Sequence, residues 1–384
     1  MKRIKYIIPL FLLAASPFVG FAQTSKSAYF LDGAYHNFKL NPAMEAERPF
    51  FSFGLGNLAI GTNSNVGISN FLYPLDDKLT TFMSGSVDQE TFLGNLPQSI
   101  RMGLNFDETL MAFGFRMFGG YTSFSLSMHA NTSFAMPKGF FEFAKTGLQQ
   151  SSFDFSGINM SMTSYAAATL GYSHEVYKGL RVGVNLKYLI GLAYLDATFD
   201  RFNIELSEQR WMVEAHAKAQ AALFGEVYYD GENSLDNLKF GSFAPSSNGF
   251  AVDLGVVYDM KEFVPGLTVS ASVVDLGSIN WQYMMSIENN GEPICWEGLK
   301  DANIDNMGTA LEEELEKLGD KAEKIMDFEV NDIHSESTKL GATMYVGAEY
   351  NMPFYKPLSA ALLYSKKFSP YSGWDEVRGY VNIA

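Results

Sequence analysis

"LRVGVNLKYLIGLAY", residues 180–194, places Leu180, Val182, Val184, Leu186, Tyr188, Ile190, Leu192 and Tyr194 on one side of a two-residue period. Arg181, Gly183, Asn185 and Lys187 open the other side. Successive side chains of a β-strand point to opposite faces, so the run reads as a strand with one apolar and one wet face. It is also long. A tilted run of about ten residues or more crosses the ~25–30 Å of hydrocarbon in a bilayer, whereas strands of soluble sheets average about five or six residues.

The same period recurs on either side of this run. In "TSFSLSMHAN", Phe124, Leu126, Met128 and Ala130 oppose Ser125, Ser127, His129 and Asn131. "SIRMGLNFD" sets Ile100, Met102, Leu104 and Phe106 against Arg101, Gly103 and Asn105. "WMVEAHAKAQA" sets Trp211, Val213, Ala215 and Ala217 against Glu214, His216 and Lys218, and "KLGATMYVGAEY" sets Leu340, Ala342, Met344, Val346 and Ala348 against Lys339, Thr343 and Glu349. Gly119-Gly120 marks a hairpin turn, and short Gly- or Pro-bearing connections follow Tyr172, Tyr258 and Tyr350. Tyrosines at strand ends suit an aromatic girdle at headgroup level. The pattern predicts an all-β, antiparallel transmembrane barrel, with a soluble β-sandwich or solenoid as the alternative.

Composition agrees with export. "MKRIKYIIPLFLLAASPFVGFAQ" has Lys2, Arg3 and Lys5 ahead of a short apolar core and a small-residue cleavage site, so residues 1–22 read as a signal peptide and the mature chain is expected to leave the cytoplasm. The chain is 15% aromatic, only 18% charged, and has a net charge of −15. Nucleic acid is excluded as a partner, because phosphate binding needs a basic footprint. The single Cys295 cannot form an internal disulfide.

Two connections are long. Residues 226–248 are Asn-, Ser- and Gly-rich; residues 282–338 contain Ile304, Met307, Leu311, Leu315, Leu318 and Ile325 at helical spacing, with Glu313/Lys317 and Asp320/Lys324 as i,i+4 pairs. This helix is expected either to cap the barrel mouth or to grip a partner protein.

Patterns for catalysis are missing. There is no GxSxG, HExxH or CxxC, and the glycines at Gly54 and Gly56 precede a poor helix former, which removes the dinucleotide reading. Ser127 and His129 are the nearest approach to the Ser/His pair of an outer-membrane phospholipase. Two residues' separation on one strand face does not establish a hydrogen bond. The chain is therefore expected not to be an enzyme, and no catalytic residue, cofactor or metal is assigned.

Residues 249–281, "GFAVDLGVVYDMKEFVPGLTVSASVVDLGSINW", carry Asp253-Leu254-Gly255 and Asp275-Leu276-Gly277 on a hairpin that ends near Ile279 and Trp281. With Leu40-Asn41-Pro42-Ala43 upstream, this resembles a family of uncharacterised outer-membrane barrels of Bacteroidota, similar to the FadL and PorV group. The resemblance implies a FadL-like barrel of about fourteen strands over residues 50–384. Residues 23–49 would form a plug in its lumen, with Asn41 and Pro42 shaping the last turn. Pro42 fixes its own φ and biases Asn41 toward an extended conformation, so a simple turn leading into the first strand remains the other reading. Asp253 and Asp275 are expected to hold polar groups of plug or lumen.

By the same resemblance the function is passive uptake or binding of a hydrophobic small molecule, with outer-membrane lipid around the barrel. The alternative is a scaffold or shuttle barrel acting through an envelope protein held by loop 282–338. The chain ends "WDEVRGYVNIA", part-way into an alternating run, and has about ten to twelve strand candidates. C-terminal truncation, or closure by another chain, is therefore expected.

Overall fold

The computed structural model describes residues 26, 29–31, 34, 36–54, 58–75, 78–147, 152–207, 210–229, 238–242, 244–289, 291, 293–296, 328–355, 358–369 and 373–383. The expected signal peptide and the helical stretch 304–325 lie outside the described residues, as do parts of the expected plug.

A 15-stranded antiparallel sheet follows the order of the chain along its spatial path. Its spatial path holds ten positions: Phe50–Phe53, Ser99–Met117, Gly120–Pro137, Asn159–Tyr177, Leu180–Leu206, Trp211–Leu223, Leu267–Asn289, Thr343–Asn351, Leu358–Lys367 and Trp374–Ile383. Several remaining strands continue these positions after an interruption. Trp211–Leu223 pairs with the far half of Leu180–Leu206, and Asn248–Asp259 pairs in the same direction with the near half. Phe328–Lys339 and Thr343–Asn351 divide Leu267–Asn289 in the same way. The described residues thus fill ten positions where about fourteen strands were expected. Among them, no backbone pairing joins the outer strands Phe50–Phe53 and Trp374–Ile383.

One end of the sheet has tight turns. Met117 pairs with Gly120, so the turn is centred on Phe118 (φ 54°) and Gly119 (φ 76°), one residue before the Gly-Gly pair read from the sequence. Positive φ at both central residues matches the twist of the flanking strands. Long connections lie at the other end, where two α-helices not anticipated from the sequence occur, Gln89–Gly94 and Lys138–Thr146. Phe92, Phe82, Phe71 and Phe141 form a small apolar cluster between them, and Lys145 Nζ donates to the carbonyls of Phe82, Ser84 and Val87 at 2.9, 2.7 and 2.6 Å.

The alternation survives folding, but the polarity is the reverse of a water-soluble sheet. Leu186 is 56% exposed while its neighbour Asn185 is 1% exposed. Phe106, Met128, Phe250, Leu254 and Leu362 are also exposed, whereas Ser125, Ser127, Asp253, Ser272 and Ser365 are buried. One assignment is corrected. Tyr165 pairs with Gly191 and Ser164 with Ala193, so Leu192 is bulged out of register. An extra residue shifts the following side chains to the opposite face. Tyr194 accordingly lines the interior cavity, unlike Tyr188, which is exposed.

The described residues between 26 and 45 lie against the wet face. Phe30 accepts from Asn382 Nδ2 at 3.1 Å, Lys39 donates to Thr109, and Phe38 packs 6.3 Å from Phe50. A short segment that reaches both the first and the last strands requires the sheet to curl around it.

Candidate functional site

The N-terminal segment is held at its Asn-Pro turn. Asn41 is fully buried; its Oδ1 accepts from the Ala43 N–H at 3.0 Å, closing an Asx-type turn. Its Nδ2 donates toward Tyr29 Oη (3.2 Å), the Val256 carbonyl (3.2 Å) and the Ala271 carbonyl (3.4 Å). Ser272 Oγ donates to the Leu40 carbonyl at 2.6 Å. Pro42 lies where two strands lack side chains: a Cβ at Gly183 would collide with the Pro42 carbonyl, and one at Gly255 with Asn41 Oδ1 and the Pro42 ring. Glycine is needed at both positions because the backbone of the segment approaches directly.

Apolar and charged groups complete the attachment. Tyr29, Phe30 and Leu40 pack with Val274, Tyr345 and Leu363. Glu45 is paired to Arg116 at 2.8 Å and Arg181 at 3.0 Å, both beside tight turns, and accepts from Ser173 Oγ at 3.2 Å. Lys26 pairs with Glu376 at 3.1 Å and lies 3.2 Å from the Trp374 ring centroid. Burial lowers the Lys26 ammonium to about 8 against the opposing pull of Glu376, and lowers Lys39 to about 8 against that of Asp107. Burial also raises the Tyr29 phenol.

Asp253 and Asp275 meet through Lys187, whose Nζ lies 2.9 Å from Asp253 Oδ1 and 2.7 Å from Asp275 Oδ1. The Asp275 N–H also donates to Asp253 Oδ1 at 2.8 Å. Asp275 has a φ of 61° at an irregularity where the pairing shifts between Val252 and Leu254. Asp tolerates this left-handed conformation better than most non-Gly residues. Asn185 links the cluster to the segment, donating to Asp253 Oδ2 at 2.9 Å and to the Phe38 carbonyl at 3.0 Å. The four residues singled out in the sequence therefore belong to two adjoining groups: Asn41 and Pro42 in the segment, Asp253 and Asp275 beneath it. Asn185, Lys187, Glu45 and Tyr29 were missed as site residues. Asn185 and Lys187 did carry a signal, as polar members of a strictly alternating run.

Beside the segment is a cavity of about 1240 Å³. Its wall includes Asn105, Ser125, Asn131, Ser133, Thr163 and Gln220, with Lys39, Lys187, Lys367, Asp107 and Asp275 as charged members. Ser127, His129 and Asp107 form a hydrogen-bonded row in this wall. Ser127 Oγ is 2.8 Å from His129 Nε2, and His129 Nδ1 bonds to Asp107 Oδ1. Among the described residues, no group of three or more His, Cys, Asp or Glu side chains is arranged to hold a metal ion.

No curated protein matches the chain. A family model matches residues 42–384, and the chain belongs to that family, a family of unknown function (DUF5723).

Proposed function

We propose that this chain is an outer-membrane β-barrel whose N-terminal segment plugs one end of the lumen, leaving a cavity of mixed polar and apolar lining that binds or passes a small amphiphilic solute. The observation that carries this reading is the inverted polarity of the strands. Leu186 (56% exposed) and Leu362 (61%) face outward while Asn185 and Ser365 are buried. In water, such a continuous apolar exterior carries a large cost and promotes association; in hydrocarbon it is the stable arrangement. A relation to the FadL and PorV group belongs to the same reading, supported by the Asn41-Pro42 turn and the paired Asp253 and Asp275 hairpin.

The resemblance implies a hydrophobic ligand, and the cavity wall adds hydroxyls, amides and charges to apolar side chains such as Leu40, Val274 and Phe368. Hydroxyls, amides and charges in the cavity wall would lose hydration against an apolar guest without gaining hydrogen bonds, a cost of about 1–3 kcal/mol for each unsatisfied group. A hydrated, hydrogen-bonding solute keeps those interactions. Residues 282–289 and 328–338, expected as parts of a loop, belong to the paired strands Leu267–Asn289 and Phe328–Lys339; the scaffold reading then depends on the connection 290–327, most of which lies outside the described residues, and no observation favours it.

The test is reconstitution of the mature chain into liposomes. We expect flotation with the lipid and swelling in isotonic monosaccharide that increases when residues 26–44 are deleted. A mature chain that remains monomeric in buffer without detergent, and does not float with vesicles, overturns the reading.

A further inference from the structure

We propose that Ser127, His129 and Asp107 form a nucleophilic triad that hydrolyses small polar carboxylic esters in the cavity. Three side chains from two adjacent strands produce the arrangement. Ser127 and His129 are two residues apart on Gly120–Pro137 and project to the same face, and Asp107 is the cross-strand partner of His129. The carboxylate accepts the His129 Nδ1 proton and so leaves Nε2 as the acceptor for Ser127 Oγ–H at 2.8 Å. Tyr165 stacks on the imidazole with 4.9 Å between centroids, which restricts ring rotation. All four line the same cavity.

The surroundings differ from those of a polar ladder that only fills space. The pairing of Ser99–Met117 with Gly120–Pro137 slips between Thr109 and Met111, directly opposite Ser127, and such bulges re-aim side chains next to active sites. Lys39, carried in by the N-terminal segment, donates to Thr109, the cross-strand partner of Ser127. This puts a cation on the strand pair that carries Ser127.

In the first half-reaction, Ser127 Oγ bonds to the ester carbonyl carbon as its proton passes to His129 Nε2. The carbon–oxygen bond to the alcohol then breaks, and the alcohol leaves with that proton. Water repeats the sequence on the acyl-Ser127 ester: it gives a proton to His129 and bonds to the acyl carbon. The carboxylic acid departs as Ser127 regains the proton. Ester and water become acid and alcohol, with no further reactant. Hydroxyls and amides of the same wall, from Ser125, Asn131, Ser133 and Thr163, fit the polar groups of a short ester.

The experiment uses the purified full mature chain with diisopropyl fluorophosphate, followed by peptide mass mapping, and with p-nitrophenyl acetate as substrate. We expect phosphorylation at Ser127. The rate should fall about 100-fold or more in His129→Gln and in Asp107→Asn, and remain unchanged in Ser84→Ala, which lies outside the cavity. If either triad variant fails to fold, the wild-type labelling site still decides. Ser127 left unlabelled in protein with an intact β circular dichroism spectrum overturns the proposal. So does labelling equal in rate in folded His129→Gln.

Discussion

The Asp275 N–H donates to the Asp253 carboxylate at 2.8 Å, joining the two Asp-Leu-Gly elements through a backbone bond rather than through two repelling side chains. The bond is made at the one strand position where Asp275 turns to a φ of 61°. Lys187 supplies the charge that lets both carboxylates remain there.

Asp253→Ala is expected to be strongly destabilising. It removes one counter-ion from buried Lys187, the acceptor of the Asp275 N–H, and the partner of Asn185. Breaking a buried pair costs about 3–5 kcal/mol. The urea midpoint of the folded protein should fall accordingly. An unchanged midpoint would show that the cluster is solvated and contributes little.

Asp275 separates charge from backbone. Asp275→Gly accepts the positive φ but loses the bond to Lys187, whereas Asp275→Val loses the bond and strains the bulge. The valine variant should be the less stable by about 1–2 kcal/mol. Equal midpoints for the two variants would remove the backbone part of the explanation.

Gly183 and Gly255 form the seat of Pro42, so Gly255→Val should displace the N-terminal segment while the strands remain paired. Trypsin cleavage after Lys39, blocked in the parent, should then appear with little change in far-ultraviolet circular dichroism. Continued protection would mean that the segment is held by its other contacts.

The buried cations give docking a pH dependence. Lys26 and Lys39 are held at about 8 in the folded protein, against 10.5 when free. Between those values the undocked chain binds protons that the docked chain does not, so stability rises as pH increases from about 8 toward 10.5 and is lowest below 8. Urea midpoints at pH 7.5 and 9.5 should show this rise, and Lys39→Met should reduce it. A midpoint that falls over this interval in the parent contradicts the assignment.

Leu186→Arg distinguishes the two environments of the outer face. On a water-exposed surface the change should alter stability by no more than about 0.5 kcal/mol. At the midplane of a bilayer it should cost about 2–4 kcal/mol and lower the yield of folded protein in liposomes. Insertion equal to the parent's would argue against lipid contact at Leu186.

The long two-sided strands were legible because a period of two is a local property: Leu180 through Leu186 alternate whatever they face. Gly183 could be read as a small residue on the wet side, but its reason for being glycine, the carbonyl of Pro42, is 141 positions away in sequence. Leu192 is where local reading failed. Its bulge depends on the pairing of the neighbouring Asn159–Tyr177 strand and reverses the side of Tyr194. The two unanticipated helices are short and sit at the long-connection end, where Phe92 and Phe141 share one cluster with Phe71, Phe82 and Ile100 that only the tertiary fold brings together.

The sequence by itself determined the antiparallel all-β class and the two-faced strands. Only the tertiary structure decided that Leu192 is bulged, that Lys187 gathers the two aspartates, and that Asp107 meets His129 across a strand pair. The physical reason is register. Alternation fixes which side chains share a face, but the partner strand and its bulges fix which face is buried and which residues stand opposite one another.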